Sequence, residues 1–291
     1  MEVHLIDGTY ELFRHFFALP SSSDESGNEI GAIRGVLNSL LNMLEVGATH
    51  IGVATDHVIE SFRNDLYPGY KTGAGIDPAL FSQFVPLENA LRAMGLVVWP
   101  MVEQEADDAM AGAARSASED TRVTRVLICT PDKDLAQCVV GDRIVQLDRR
   151  KQEIRDEEGI REKFGISPES IPDYLALVGD AADGFPGLPG WGAKSTATVL
   201  ARYLHIEAIP RNAHEWDVSV RRADKLVKTL VDQWGDVLLF RQLATLRTDA
   251  TVFHTVDALA WKGPRPEFEH LCTSMRATHL WERAKGLETG E

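Results

Sequence analysis

The sequence predicts an α/β protein in which a mostly parallel central sheet is flanked by helices and a helical region follows. Three observations carry this. Up to about residue 180, short apolar runs of strand length alternate with amphipathic stretches of helical period, the pattern of a sheet covered on both faces. Several of those runs lead to an aspartate. A glycine- and proline-rich loop then opens a region where helical periodicity dominates. The division expected is an α/β domain over 1–180 and a helical region over 181–291.

Taken in order, "VHLI" reads as the first strand and ends at Asp7. "PSSSDESGNE", residues 20–29, is a polar surface loop. "AIRGVLNSLLNMLEV" reads as an amphipathic helix and "HIGVAT" as the second strand, ending at Asp56. "ALFSQFVPLENALRAMG" is a further amphipathic stretch, and "GLVVWP" is a third strand running towards an acidic cluster. "RVLICT" is the fourth, followed by Asp132 and Asp134. Ligands of such sheets sit outside the carboxyl ends of the strands, where this chain places its acids. One aspartate after a strand is commonly a helix cap. The same choice at three strand ends is harder to assign to capping.

The bulk numbers bound the answer. A chain of 291 residues holds one large domain or two modest ones. No apolar run approaches the roughly 18 residues of a membrane-spanning helix, and the start "MEVHLIDG" lacks a secretory pattern. Cys129, Cys138 and Cys272 form no C-x-x-C pair. Free thiols in a reducing cytoplasm are expected, with Cys129 in the core. The net charge of −14 points away from a simple polyanion binder, although the local field and any cations the acids hold decide that question.

"VEQEADDAMAGA" crowds Glu103, Glu105, Asp107 and Asp108 into a helix start. Favourable placement in a first helical turn is one explanation; a metal site is the other. On a helix, Glu105 and Asp108 share a face while Asp107 is rotated away. The three converge only if Glu105 stands at or before the helix N-terminus. "TPDKDL" adds Asp132 and Asp134, and "GDAADG" adds Asp180 and Asp183. With no histidine or cysteine patterned among them, the donors are all oxygen and suit Mg²⁺ or Mn²⁺ rather than zinc. Paired divalent ions on shared carboxylates are the usual apparatus for attack on a phosphodiester.

The order Asp7, Asp56, E-A-D-D, D-K-D and G-D-x-x-D, followed by "GLPGWGAKSTA", resembles the 5′-nuclease family. That family includes flap endonucleases and the 5′→3′ exonuclease domain of bacterial DNA polymerase I. The resemblance covers nearly the whole chain and extends to "IDGTYELFRHFFAL", "FRNDLYPGYK" and "LATLRTD". It implies a PIN-like fold with a helix–three-turn–helix DNA-binding region. The activity implied is metal-dependent hydrolysis of DNA at 5′ ends and flaps, giving 5′-phosphates. Removal of RNA primers from RNA–DNA hybrids and non-catalytic binding of branched DNA are the alternatives. By the same resemblance, Asp7, Asp56, Glu105 and Asp107 surround one divalent ion. Asp132, Asp134, Asp180 and Asp183 surround a second, with Asp108 close by and a third ion left open. Glu103 falls outside the motif.

Lys71 and Arg14 match a family lysine and arginine at the scissile phosphate. Tyr70 either stacks on an unpaired base or packs. Gly187, Gly190, Gly192 and Lys194 match the loop that holds duplex phosphate, where family members commonly bind K⁺. Residues 187–250 carry nine basic and seven acidic side chains, less acidic than the whole chain. Arg221, Arg222, Lys225 and Lys228 either extend a duplex-facing stripe or form a solvated face. A free-standing cytoplasmic monomer that meets DNA and no membrane is expected. Two departures stand out. Ala74 replaces a second basic residue, leaving the arch region at 70–92 with only Lys71 and Arg92 as cations; a weak, salt-sensitive grip on flaps is expected. Gly184 stands where an asparagine is common.

Overall fold

The structure is a computed structural model and describes residues 1–288. Its first elements are β1 (Glu2–Asp7), α1 (Gly8–Ala18), α2 (Gly31–Glu45), β2 (His50–Asp56), α3 (Phe62–Leu66), α4 (Pro78–Phe81), α5 (Phe84–Ala93), β3 (Val97–Met101), α6 (Ala106–Glu119) and β4 (Arg125–Cys129). There follow β5 (Ile144–Asp148), β6 (Glu153–Arg155), α7 (Glu157–Phe164), α8 (Ile171–Val178), α9 (Ala193–Tyr203), α10 (Ala223–Asp232), α11 (Trp234–Ala244), α12 (Glu267–Ser274) and α13 (Thr278–Glu288). Internal contacts divide the chain into two units: residues 1–59, 73–130 and 248 onward, and residues 60–72 with 131–247. This division follows packing and cuts the chain differently from a sequential boundary at 180.

In the first unit, β1 pairs in parallel with both β2 and β4, and β2 pairs in parallel with β3. The expected parallel sheet is thus present. Val3, Leu5, Ile6, Ile51, Val53, Val126 and Ile128 are all buried, as a sheet covered on both faces requires. The face of α6 is built from Ala109, Ala113, Ala114 and Ala117, all fully buried; side chains this small allow a helix to lie close to the strands. The stretch 79–95 is two helices, α4 and α5, rather than one. Pro86 has no N–H to donate, and its ring would meet the carbonyl of Ser82 in a continuous helix.

The last segment completes this unit. The Trp261 amide donates to the Thr49 carbonyl at 2.8 Å, and its indole N–H donates to the Met94 carbonyl at 2.8 Å. Arg283 on α13 pairs with Glu45 of α2 at 2.7 Å. Cys129 and Cys272 are buried thiols, with Cys129 in the core as expected.

The second unit joins the antiparallel pair β5–β6 to a helical core. Leu175, Leu177, Phe185, Trp191, Leu200, Leu230 and Phe240 fill that core, and Phe185 stacks on Phe240 with centroids 5.7 Å apart. The fully buried Arg63 donates through Nε to the Leu243 carbonyl at 2.8 Å and through Nη2 to the Thr245 carbonyl at 3.2 Å. Strands β5 and β6 were not singled out by the alternation of apolar runs. They are short, and β6 is largely exposed.

Candidate metal centre

In the first unit, acids stand at the carboxyl ends of β1 and β2 and at the start of α6. Asp7 closes β1 and caps α1: its Oδ1 accepts the Tyr10 N–H at 2.8 Å and its Oδ2 accepts the Thr130 hydroxyl at 3.1 Å. Asp56 closes β2, and its Oδ1 accepts the Ala106 N–H at 2.9 Å. That bond ties the end of β2 to the start of α6. Glu105 is the N-cap residue of α6 with extended backbone, φ −93 and ψ 162. It therefore stands before the helix, the condition under which Glu105, Asp107 and Asp108 converge. Asp108 is fully buried and accepts the Glu105 N–H at 3.1 Å; Asp107 is half-buried beside it and Glu103 is exposed.

In the second unit, Asp134, Asp180 and Asp183 are buried, with candidate ligand oxygens all within 4.8 Å of one another. A tight turn presents two of them. The Asp180 and Phe185 amides donate to each other's carbonyls at 2.8 and 3.0 Å, so Asp180 and Asp183 come from one short loop. Gly184 in that loop has φ +87, and a Cβ there would sit 2.1 Å from the Gly69 carbonyl oxygen. Any side chain at this position would require the Gly69 segment to shift.

Asp134 Oδ1 is buried without a hydrogen-bond partner. Burial, then the charges of Asp132, Asp183 and Asp180, pushes its carboxyl well above the usual range, with Lys133 opposing. An oxygen-only set with an unpartnered buried ligand atom fits a hard divalent ion. Asp132 is exposed, outside the trio, and accepts the Asp134 N–H at 3.0 Å.

Two cations flank the trio. Lys71 Nζ lies 3.2 Å from Asp183 Oδ1, while its amide donates to the Asp183 carbonyl at 3.0 Å. Lys133 Nζ lies 2.5 Å from Asp180 Oδ2. Lys133 was not among the sequence candidates, although the signal, a lysine between Asp132 and Asp134, was visible. Elsewhere, Arg14 donates through Nη2 to the buried Glu11 at 2.5 Å, and Arg14 Nε is buried without a partner. Arg92 lies 3.9 Å from the buried Glu88, which also accepts the Thr55 hydroxyl at 2.9 Å.

The candidate DNA contacts separate into two groups. Gly190, Gly192, Lys194, Arg221 and Arg222 line one cleft of about 720 Å³ at the N-terminus of α9. Two others need correction. Tyr70 is 3% exposed and packed in the core of its unit; its ring is not available to stack on a base, and packing is the role its burial supports. Gly187 is buried as well, with φ +68, and a Cβ there would lie 2.3 Å from the Gly179 nitrogen. It allows two backbone segments to touch and does not face the cleft.

Comparison with known proteins identifies the family. The family profile described as 5′-3′ exonuclease, N-terminal resolvase-like domain, matches residues 2–165, and that for the 5′-3′ exonuclease C-terminal SAM fold matches residues 166–267. A 5′-3′ exonuclease of Aquifex aeolicus is 30% identical over 264 residues, covering 90% of this chain and 87% of the relative. DNA polymerase I of Pseudomonas aeruginosa is 34% identical over 273 residues, covering 90% of this chain. The match spans 29% of that polymerase's length.

Among solved structures, a bacteriophage T5 flap endonuclease in complex with DNA and metal ions has a TM-score of 0.66 at 18% identity, covering 98% of this chain and 100% of that one. Flap endonuclease-1 from Methanococcus jannaschii gives 0.60 at 14%, covering 99% and 92%. Likeness at such identities shows the fold. The chain belongs to the 5′-3′ exonuclease family.

Proposed function

We propose that this chain is a divalent-metal-dependent nuclease that hydrolyses DNA phosphodiesters at 5′ ends and flaps and leaves 5′-phosphate products. The supporting observation is the buried trio Asp134, Asp180 and Asp183, with one carboxylate oxygen unpartnered, in a chain of the 5′-3′ exonuclease family. Divalent ions supply a water of lowered pKa and offset charge on the leaving oxygen. Asp134, Asp180 and Asp183 would hold one ion, with Asp132 at the rim. Asp7, Asp56, Glu105, Asp107 and Asp108 would hold another. The oxygen donors favour Mg²⁺ or Mn²⁺.

Arg14 and Lys71 are the phosphate ligands in this reading. Both are now paired with carboxylates, Glu11 and Asp183, which keep the cationic groups in place until phosphate competes for them. The cleft at α9 receives duplex phosphate: Lys194, Arg221 and Arg222 supply charge, the helix N-terminus favours an anion, and loop carbonyls are candidates for a bridging K⁺. DNA as partner is supported by the complex of the T5 relative with DNA and metal ions. We place the protein, as a monomer, in the cytoplasm.

The test is a cleavage assay on 5′-labelled flap, nicked, gapped and single-stranded DNAs in EDTA, Mg²⁺ and Mn²⁺. Cutting restricted to the ion-containing reactions, and strongest on flaps and 5′ ends, is expected. Protein that binds the flap in Mn²⁺ and cuts none of the set would refute the assignment in favour of a non-catalytic binder of branched DNA.

A further inference from the structure

Lys133 occupies an unusual place. Its Nζ sits 2.5 Å from Asp180 Oδ2, a carboxylate of the trio assigned above to an ion. The other oxygen, Asp180 Oδ1, accepts the Ala182 N–H at 3.0 Å. One side of Asp180 is therefore held by fixed backbone and the other by an ammonium on a flexible stem. Asp183 carries Lys71 at 3.2 Å, and Asp134 Oδ1 has no partner.

A divalent ion binds carboxylate oxygen at about 2.0–2.6 Å. An ammonium bonded to Asp180 Oδ2 opposes uptake of that ion by the same atom, because two cations repel at short range. The Lys133 side chain is 37% exposed, with solvent into which it can swing.

We propose that Lys133 is a resident counter-cation of the Asp134–Asp180–Asp183 group, which a divalent ion displaces on binding, so that this lysine lowers the affinity of the group for metal. The inference rests on the metal-binding reading of the trio. It adds a property of this chain: the metal-free protein is protected from the repulsion of its own acids, and the cost appears as weaker ion uptake. A lysine that only stabilises the loop would leave metal affinity unchanged when its charge is removed.

The experiment titrates Mn²⁺ into the full-length chain by calorimetry, alongside thermal melts in EDTA, for the wild type, Lys133→Met, Lys133→Gln and Lys133→Arg. The two uncharged variants should bind Mn²⁺ about tenfold more tightly, equivalent to about 1.4 kcal/mol, and should melt at lower temperature in EDTA. Lys133→Gln keeps a hydrogen-bond donor for Asp180 and tests the charge if Lys133→Met folds poorly. Lys133→Arg should bind as the wild type does. Folded Lys133→Gln with unchanged or weaker Mn²⁺ affinity overturns the proposal. A wild type that takes up no Mn²⁺ removes the metal-binding reading itself, a separate and recognisable failure.

Discussion

Asp134→Asn removes one charge from the trio with little change of shape. The ligand oxygens of Asp134, Asp180 and Asp183 lie within 4.8 Å of one another. Each ionised pair at that separation repels by about 3.5 kcal/mol at an effective dielectric of about 20. Lys133 and Lys71 pair with Asp180 and Asp183, which offsets part of this. Burial and the three neighbouring aspartates raise the Asp134 carboxyl well above its ordinary range. A folded-state pKa above the unfolded value gives stability that is complete below the unfolded pKa and is lost as pH rises through the folded one. Asparagine has no proton to lose, so the variant escapes that loss.

In EDTA at neutral to mildly alkaline pH the variant should therefore be more stable by about 1–2 kcal/mol, or about 2–6 °C in Tm for a chain of this size. The difference should close as pH falls towards the ordinary carboxylate range. In Mn²⁺ the order reverses, because only the wild type gains the full stabilisation that comes from binding the ion. Fluorimetric melts across the pH range, with and without Mn²⁺, read both effects. A variant that melts well below the wild type in alkaline EDTA would make the carboxylate structural. Equal Mn²⁺ stabilisation of the two proteins would remove Asp134 from the ligand set.

Gly187→Ala places a Cβ 2.3 Å from the Gly179 nitrogen at φ +68 and should cost about 3–5 kcal/mol, seen as a lower urea midpoint or loss of soluble protein; a midpoint near wild type would contradict the contact. Arg63→Met leaves the Leu243 and Thr245 carbonyls without their donor and should cost about 2–4 kcal/mol by urea unfolding. Lys194→Ala should weaken duplex binding about three- to tenfold and lower the slope of log K against log salt by about 1, measured by fluorescence anisotropy. Unchanged binding would place Lys194 outside the duplex contact. Burial pushes the Cys272 thiol up to about 12, so it should resist thiol reagents in the native protein at neutral pH and react once the protein is unfolded.

The parts of this architecture that depend on local chemistry were legible in the sequence. Parallel strands covered on both faces must be apolar, and Asp7 and Asp56 at their carboxyl ends mark where a ligand would meet them. Helical rotation required Glu105 to stand at or before the helix start if it was to meet Asp107 and Asp108, and it is the N-cap of α6. Features set by tertiary packing were less accessible. "YK" shows a ring beside an ammonium, but not that Tyr70 is enclosed by the second unit's core. Four glycines of the 184–192 loop look equivalent in sequence, yet Gly184 and Gly187 admit close backbone approaches while Gly190 and Gly192 line a cleft. Lys133 is adjacent to two aspartates, but its partner is Asp180, a residue brought to it by folding.

The discontinuous make-up of the sheet-bearing unit also affects the order in which the molecule can be finished on the ribosome. Its four strands are synthesised by residue 130, but the chain that seals α2 and β2 begins only at Thr248. The intervening helical unit has all its residues before that point. During synthesis, the helical unit can complete its core while the sheet-bearing unit still lacks Trp261 and Arg283 over Thr49, Met94 and Glu45. Apolar surface around the sheet is then exposed to chaperones until the final stretch emerges.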